Sequence, residues 1–285
     1  MKQKYVAIFL VAIMVMSILP LFFSGNTNDS SGSEELTGLE DAPGFEIIGG
    51  THFDAEINSI SDGLTITPEG VSNAAYIDYS KVYNTPLRVF APNITDLYSL
   101  YNTGISKRYS AYNDSANFGF EAHILKPEVI NFEYSVADMY NGYSLLMRGP
   151  NVSNIIGTPT LLGDRAILKK VIDVSSGISQ GSTEFTEIMN YVDSGAEYQF
   201  VTSTDPLAEQ HYLEFKRVDD GNYTRTEIFL NPLESTINTI AGLEANSTER
   251  GLLYDTAIED DGRIVKVVVT SNESNFFNLA MEQYW

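Results

Sequence analysis

The chain of 285 residues contains no cysteine. Disulfides, cysteine-ligated zinc, iron–sulfur clusters, thiol catalysis and thioether lipidation are therefore excluded. Histidine is nearly absent as well: His52, His123 and His211 are the three present, and no two stand at H-x-H or H-x-x-x-H spacing. Positive charge is scarce, with 17 Lys and Arg against 38 Asp and Glu, a net charge of −21 and a pI near 4.3. A field of that sign repels phosphate backbones and anionic headgroups, so nucleic acid is not an expected partner. Cofactor motifs are missing too. Gly157-Thr-Pro-Thr-Leu-Leu-Gly163-Asp164 has two glycines but no Lys-Ser/Thr after them, so a phosphate cradle would lack its cation, and there is no dinucleotide fingerprint. No cofactor is expected.

What the chain does have is apolar and aromatic surface. Hydrophobic residues make up 43% of it, with 17 Tyr and 15 Phe, enough to build a packed core. Met1-Lys-Gln-Lys4 is followed by an uncharged run from Tyr5 to Phe23, rich in Val, Ile, Leu, Met and Phe. At ~1.5 Å per residue the run spans roughly 28 Å, close to the hydrocarbon thickness of a bilayer. A cleaved signal peptide has a shorter apolar region ending at a small-x-small site, and Phe22-Phe23-Ser24-Gly25 supplies none. The reading is a retained transmembrane signal anchor over 5–23 behind a cytoplasmic stub, residues 1–4. Lys2 and Lys4 keep that end inside and send the C-terminal bulk outside the cytoplasm. Residues 24–43 are Ser, Gly, Asn and acid with two Leu, a composition that cannot bury enough surface to order itself, and they read as a polar tether.

Seven Asn-x-Ser/Thr sequons follow the anchor, at Asn28, Asn93, Asn113, Asn151, Asn222, Asn246 and Asn272, each a glycan-acceptor candidate if the bulk is exported. Acidity, export and the lack of cysteine together resemble a salt-adapted prokaryotic surface protein, archaeal where the sequons are used.

From residue 44 to 285 the pattern is α+β. Helices are expected at Ile94–Tyr101 behind Asn93, from Ser182 to Gly195, from Asn231-Pro232 to Gly242, and at Ser274–Gln283. Strands are expected at 87–90, 118–124, 143–147, 167–174, 198–202, 212–218, 223–230, 252–258 and 264–270 from their β-branched and aromatic content. Asp219-Asp220-Gly221-Asn222 and Glu259-Asp260-Asp261-Gly262 read as hairpin tips. The sum is a mostly antiparallel sheet with helices packed on one face. A repeated strand–helix–strand order suggests two similar halves, 44–155 and 156–285.

Three constellations bear on chemistry. Gly177-Ile178-Ser179-Gln180-Gly181 matches the G-x-S-x-G nucleophile elbow, with Asp205 and His211 following in triad order; between 179 and 211, however, there is no room for the crossovers such a triad spans. A Gly-rich connecting loop explains the motif as well. His52, Asp54 and Glu56 alternate, so on a strand they would share a face able to bind a metal or act as acid and base, as would any solvated strand face. Tyr98, Tyr101, Tyr109 and Tyr112 would suit a carbohydrate surface, and equally half-buried core positions. With no convergent catalytic set, the sequence favours a membrane-anchored, extracytoplasmic interaction or accessory domain of a cell-envelope complex, non-enzymatic, with a protein partner. The alternatives are a serine-type hydrolase using Ser179, and a solute-binding module.

Overall fold

Alternation of apolar residues on both sides of the strands dictates a sheet that needs cover on both faces. A computed structural model shows this arrangement for residues 42–284, apart from 117, 194 and 219–220. The 5–23 segment, the tether up to residue 41, Asn28, and the tip acids Asp219 and Asp220 lie outside the described residues. Among the described residues no helix is long and apolar enough to cross a membrane.

In chain order the strands are β1 (Phe53–Asp54), β2 (Asn73–Asp78), β3 (Gly104–Asn113), β4 (Phe118–Lys126), β5 (Ser135–Tyr140), β6 (Tyr143–Gly149), β7 (Val152–Ile155), β8 (Gly157–Thr158), β9 (Thr160–Gly163), β10 (Tyr198–Thr202), β11 (Ala208–Arg217), β12 (Asn222–Pro232), β13 (Leu253–Glu259) and β14 (Ile264–Asn272). The helices are α1 (Ile60–Thr65), α2 (Tyr79–Val82), α3 (Ile94–Tyr101), α4 (Arg165–Ser175), α5 (Thr186–Met189), α6 (Glu234–Ala245) and α7 (Phe276–Met281). Twelve strands form one sheet in the order β13-β14-β12-β11-β10-β2-β3-β4-β9-β7-β6-β5, and every neighbouring pair in it is antiparallel. β1 and β8 form a separate parallel pair. β9, from the second half of the sequence, sits between β4 and β7 of the first.

The fold is α+β with a mostly antiparallel sheet, and its helices cover both faces rather than one. On the first face Ile77, Ile105, Leu125, Phe215, Phe229 and the Val265/Val267/Val269 row pack under α2, α3, α6 and α7. On the second, Tyr76, Tyr109, Phe120, Tyr212 and Ile228 pack under α1, α4 and α5.

Both acid–glycine connections join antiparallel strands, β11 to β12 and β13 to β14. The 94–101 helix starts where Asn93 predicts it, its side chain accepting from Thr95 N at 2.9 Å, and ends on Asn102 in the left-handed conformation. Two expected strands are helical instead. Residues 167–174 belong to α4, because Asp164 caps the start, accepting from Ala166 N at 2.7 Å, and Leu168, Val171 and Ile172 bury a helical stripe; their β-branched content hid a 3.6-residue period. Residues 86–90 are a 3-10 turn begun by Thr85 and Pro86 that buries Leu87 and Phe90. The helix expected from Asn231 begins later, at Glu234, since Asn231 and Pro232 are still the end of β12. It also runs past Gly242. The one expected over 182–195 shrinks to the single turn of α5.

Gly63 of α1 lies flat against the ring of Tyr109: a Cβ there would sit 2.1 Å from Cδ2. Tyr109 cannot yield, being fully buried with its hydroxyl 2.7 Å from Thr67 Oγ1. We therefore expect Gly63→Ala to destabilise the fold by about 1–3 kcal/mol through overpacking, read as a lower midpoint in denaturant unfolding. An unchanged midpoint would mean that α1 does not pack on β3 in this way.

Candidate functional site

Among Leu213, Phe215, Tyr223 and Phe229 on the first face of β11 and β12, alternation places His211, Arg225 and Glu227, where burial forces each to find a partner. His211 Nδ1 lies 2.8 Å from Asp205 Oδ2 and Nε2 lies 2.9 Å from Glu227 Oε2, with Phe229 stacked on the ring at 4.5 Å. Arg225 pairs with the other oxygen of Glu227 and donates to the carbonyls of Leu279 and Glu282 at the C-terminal helix. Burial alone would strip the proton from His211, but its hydrogen bonds to the two carboxylates prevail and push its pKa up to about 9. Asp205 is held below the usual carboxylate range: burial is the largest single influence and would raise it, but the bond to His211, the charge of that ring and the Leu207 amide together outweigh it. The ring is an imidazolium at neutral pH, donating from both nitrogens.

A second buried cluster occupies the same face on β3 and β4. Arg108 pairs with Glu121, whose other oxygen is 2.8 Å from His123 Nε2. His123 Nδ1 is 2.9 Å from the Tyr101 hydroxyl, which in turn accepts from Asn154 Nδ2 at 3.1 Å. Arg148 binds Asn154 Oδ1 at 3.1 Å and Leu100 O at 2.7 Å. Here burial wins over Glu121, aided by repulsion from Arg108, and His123 is pushed below its ordinary pKa. The difference follows from counting charge. Arg108 already neutralises Glu121, and Nδ1 faces a hydroxyl; around His211 one carboxylate answers Arg225 and Asp205 is left to answer the ring. Arg108, Glu121 and the uncharged His123 sum to zero, as do Arg225, Glu227, His211 and Asp205, while the half-buried Arg148 answers only neutral acceptors.

On the second face Glu214 accepts from the Tyr212 hydroxyl at 2.8 Å, and burial raises its carboxyl.

Of the triad read in the sequence, Asp205 and His211 meet, while both ring nitrogens face carboxylates, so neither is turned to Ser179. Ser179 is exposed in the loop after α4; its amide donates to Asp173 O at 3.1 Å, and Gly177 takes the left-handed conformation of a helix end. A helix thus precedes the motif where an elbow requires a strand. His52 is half-buried with Nε2 3.0 Å from Ile48 O, while Asp54 and Glu56 are exposed; β1 ends at Asp54. Among the described residues no three His, Asp or Glu side chains gather as a metal site would require. Tyr101 and Tyr109 are fully buried, on opposite faces of the sheet, and do not form a surface. Asn93, Asn151, Asn246 and Asn272 are exposed, and Asn113 and Asn222 are half-buried. The Asn113 amide donates to Gly70 O at 2.8 Å.

Sequence reasoning missed Arg108, Glu121, His123, Arg225 and Glu227. The available signal was Glu121-x-His123 and Arg225-x-Glu227, charged residues two apart inside apolar strands.

Residues 56–176 match one family model. It is described as a family N-terminal domain, AF_2048_N; the matched span holds the His123 cluster and stops short of the His211 cluster. No curated protein matches the chain. Among solved structures, crystal form III of TP0453 is similar at 9% identity and a TM-score of 0.45, covering 79% of this chain and 98% of that one. Crystal form I of TP0453 gives 8%, 0.43, 76% and 96%.

Asp205→Asn removes the second carboxylate from His211 and should drop its pKa from about 9 toward the lowered range of His123, seen in the imidazole NMR shifts across a pH titration. The raised pKa is worth about 3 kcal/mol of stability. That contribution is fully present below pH 6.5, where folded and unfolded rings are both protonated, and is lost as pH rises through 9. Wild type should therefore lose its stability advantage over the variant across that window; an advantage independent of pH from 6 to 10 would refute the charged ring.

Proposed function

We propose that this chain is an extracytoplasmic interaction or accessory domain of a cell-envelope complex, anchored by residues 5–23 and working by contact rather than by catalysis. The observation that carries this reading is how the chain uses its reactive side chains. His211 has a carboxylate on each ring nitrogen, His123 is fully buried with Nδ1 on the Tyr101 hydroxyl and Nε2 2.8 Å from Glu121, and His52 is held on a backbone carbonyl. Such groups tie elements together, whereas a general base must leave one nitrogen facing its substrate. The uncharged 5–23 run and the acid-rich tether supply the second support, placing an acidic globule at the outer surface of the membrane.

The hydrolase alternative loses its base on the same geometry. Were Ser179 a nucleophile nonetheless, Ser179→Ala would abolish an esterase or peptidase activity measurable in wild type. We expect no such activity to be lost.

Affinity capture of the full chain from its native membranes in mild detergent should return a different protein in stoichiometric amount. Recovery of this chain alone would overturn the accessory-domain reading. Protease added to intact cells should digest the bulk of the chain; protection of that bulk would overturn its placement.

A further inference from the structure

The two ends of the twelve-stranded sheet are defended differently. β13 carries Asp255 and Glu259, and Glu244 reaches in to the Thr256 hydroxyl at 3.1 Å, so an approaching acidic strand is repelled there. β5 reads Ser-Val-Ala-Asp-Met-Tyr. Its lone acid, Asp138, is bound by Lys169 at 2.6 Å, and it pairs on one side alone, with β6. A bulge between Val136 and Asp138 sets Val136 opposite Leu146 and Met139 opposite Ser144. Leu146 and Ser144 are two apart, so Val136 and Met139 share one face. Both are exposed, at 60% and 58%.

We infer that β5 is a docking edge for a second copy of this chain, joined antiparallel about a two-fold axis normal to the sheet. That axis preserves the faces and sets Val136 of each copy opposite Met139 of the other, so the two exposed apolar side chains cover each other. In a chain of net charge −21, β5 itself carries one carboxylate, Asp138, and Lys169 pairs it, so two copies of this strand bring no unpaired acid of their own to the contact. A six-residue strand is small beside the ~800 Å² per partner of a standard interface. The pairing is therefore weak in dilute solution and strengthened wherever copies are concentrated on one membrane.

The absence of cysteine gives a direct test. Val136→Cys, Met139→Cys and, on the opposite edge, Ile258→Cys are made singly in the full chain, and disulfide formation is followed under mild oxidation. Mixing the Val136→Cys and Met139→Cys chains should give several-fold more cross-linked dimer than either chain alone, and Ile258→Cys should give little. Equal yields everywhere, or no dimer in the mixture, would overturn the pairing. Met139→Lys should lower the dimer fraction of otherwise unmodified chain in concentrated sedimentation runs, and a wild type that is monomeric throughout would also overturn it. A captured foreign partner with monomeric behaviour here would sink the dimer alone; a dimer with no foreign partner would sink the proposed function alone.

Discussion

Charge buried on the sheet must cancel, and that constraint organises the first face of this protein. Taking an ion from water into an apolar interior costs several kcal/mol, and a pair there is tolerable only when geometry and extra hydrogen bonds offset the loss. Arg108 with Glu121, and Arg225 with Glu227, meet the condition; His211 meets it by adding Asp205, and His123 by shedding its proton. Removing one member of either set would leave an uncompensated charge, at about 3–5 kcal/mol. Neutrality rather than the histidine itself decides each ring's protonation state.

The same groups decide which elements are held where. Arg148 and Tyr101 join α3 to β6 and β7 through Leu100 O and Asn154. Arg225 joins β12 to α7 through Leu279 O and Glu282 O, and the Glu282 side chain is clasped by Arg250 and by the Tyr254 hydroxyl of the edge strand. Apolar packing alone would let a short helix such as α7 slide on the valine row beneath it, whereas directional bonds from fixed arginines select one position. Among the described residues two of the scarce cations of this acidic chain, Arg108 and Arg225, lie in its interior, each paired with a glutamate.

The sheet itself was legible in sequence. Alternating aromatic and β-branched residues in 118–124, 198–202, 223–230 and 264–270 marked strands that form, because both their faces are buried and period two is the whole signal. Residues 167–174 misled because isoleucines and valines that favour strands also fit a helix once Asp164 caps it and lysines fall on its outer side. Of the buried clusters, the Asp205–His211 pair was visible as an ordered doublet. Its real partner, Glu227, comes from the next strand, and such a contact depends on register, which composition does not carry.

Register also explains why a motif with the right letters makes no elbow. In Gly177-Ile178-Ser179-Gln180-Gly181 the first glycine takes a positive φ to end α4, and Ile178 N and Ser179 N both return to Asp173 O. That is how a helix satisfies its last carbonyls. A nucleophile elbow needs the strain of a strand turning directly into a helix, with the hydroxyl raised toward a base. Here the glycines close one helix and connect it onward, the hydroxyl faces water, and the histidine that would serve it is locked between Asp205 and Glu227. The pentapeptide is accounted for by backbone geometry alone.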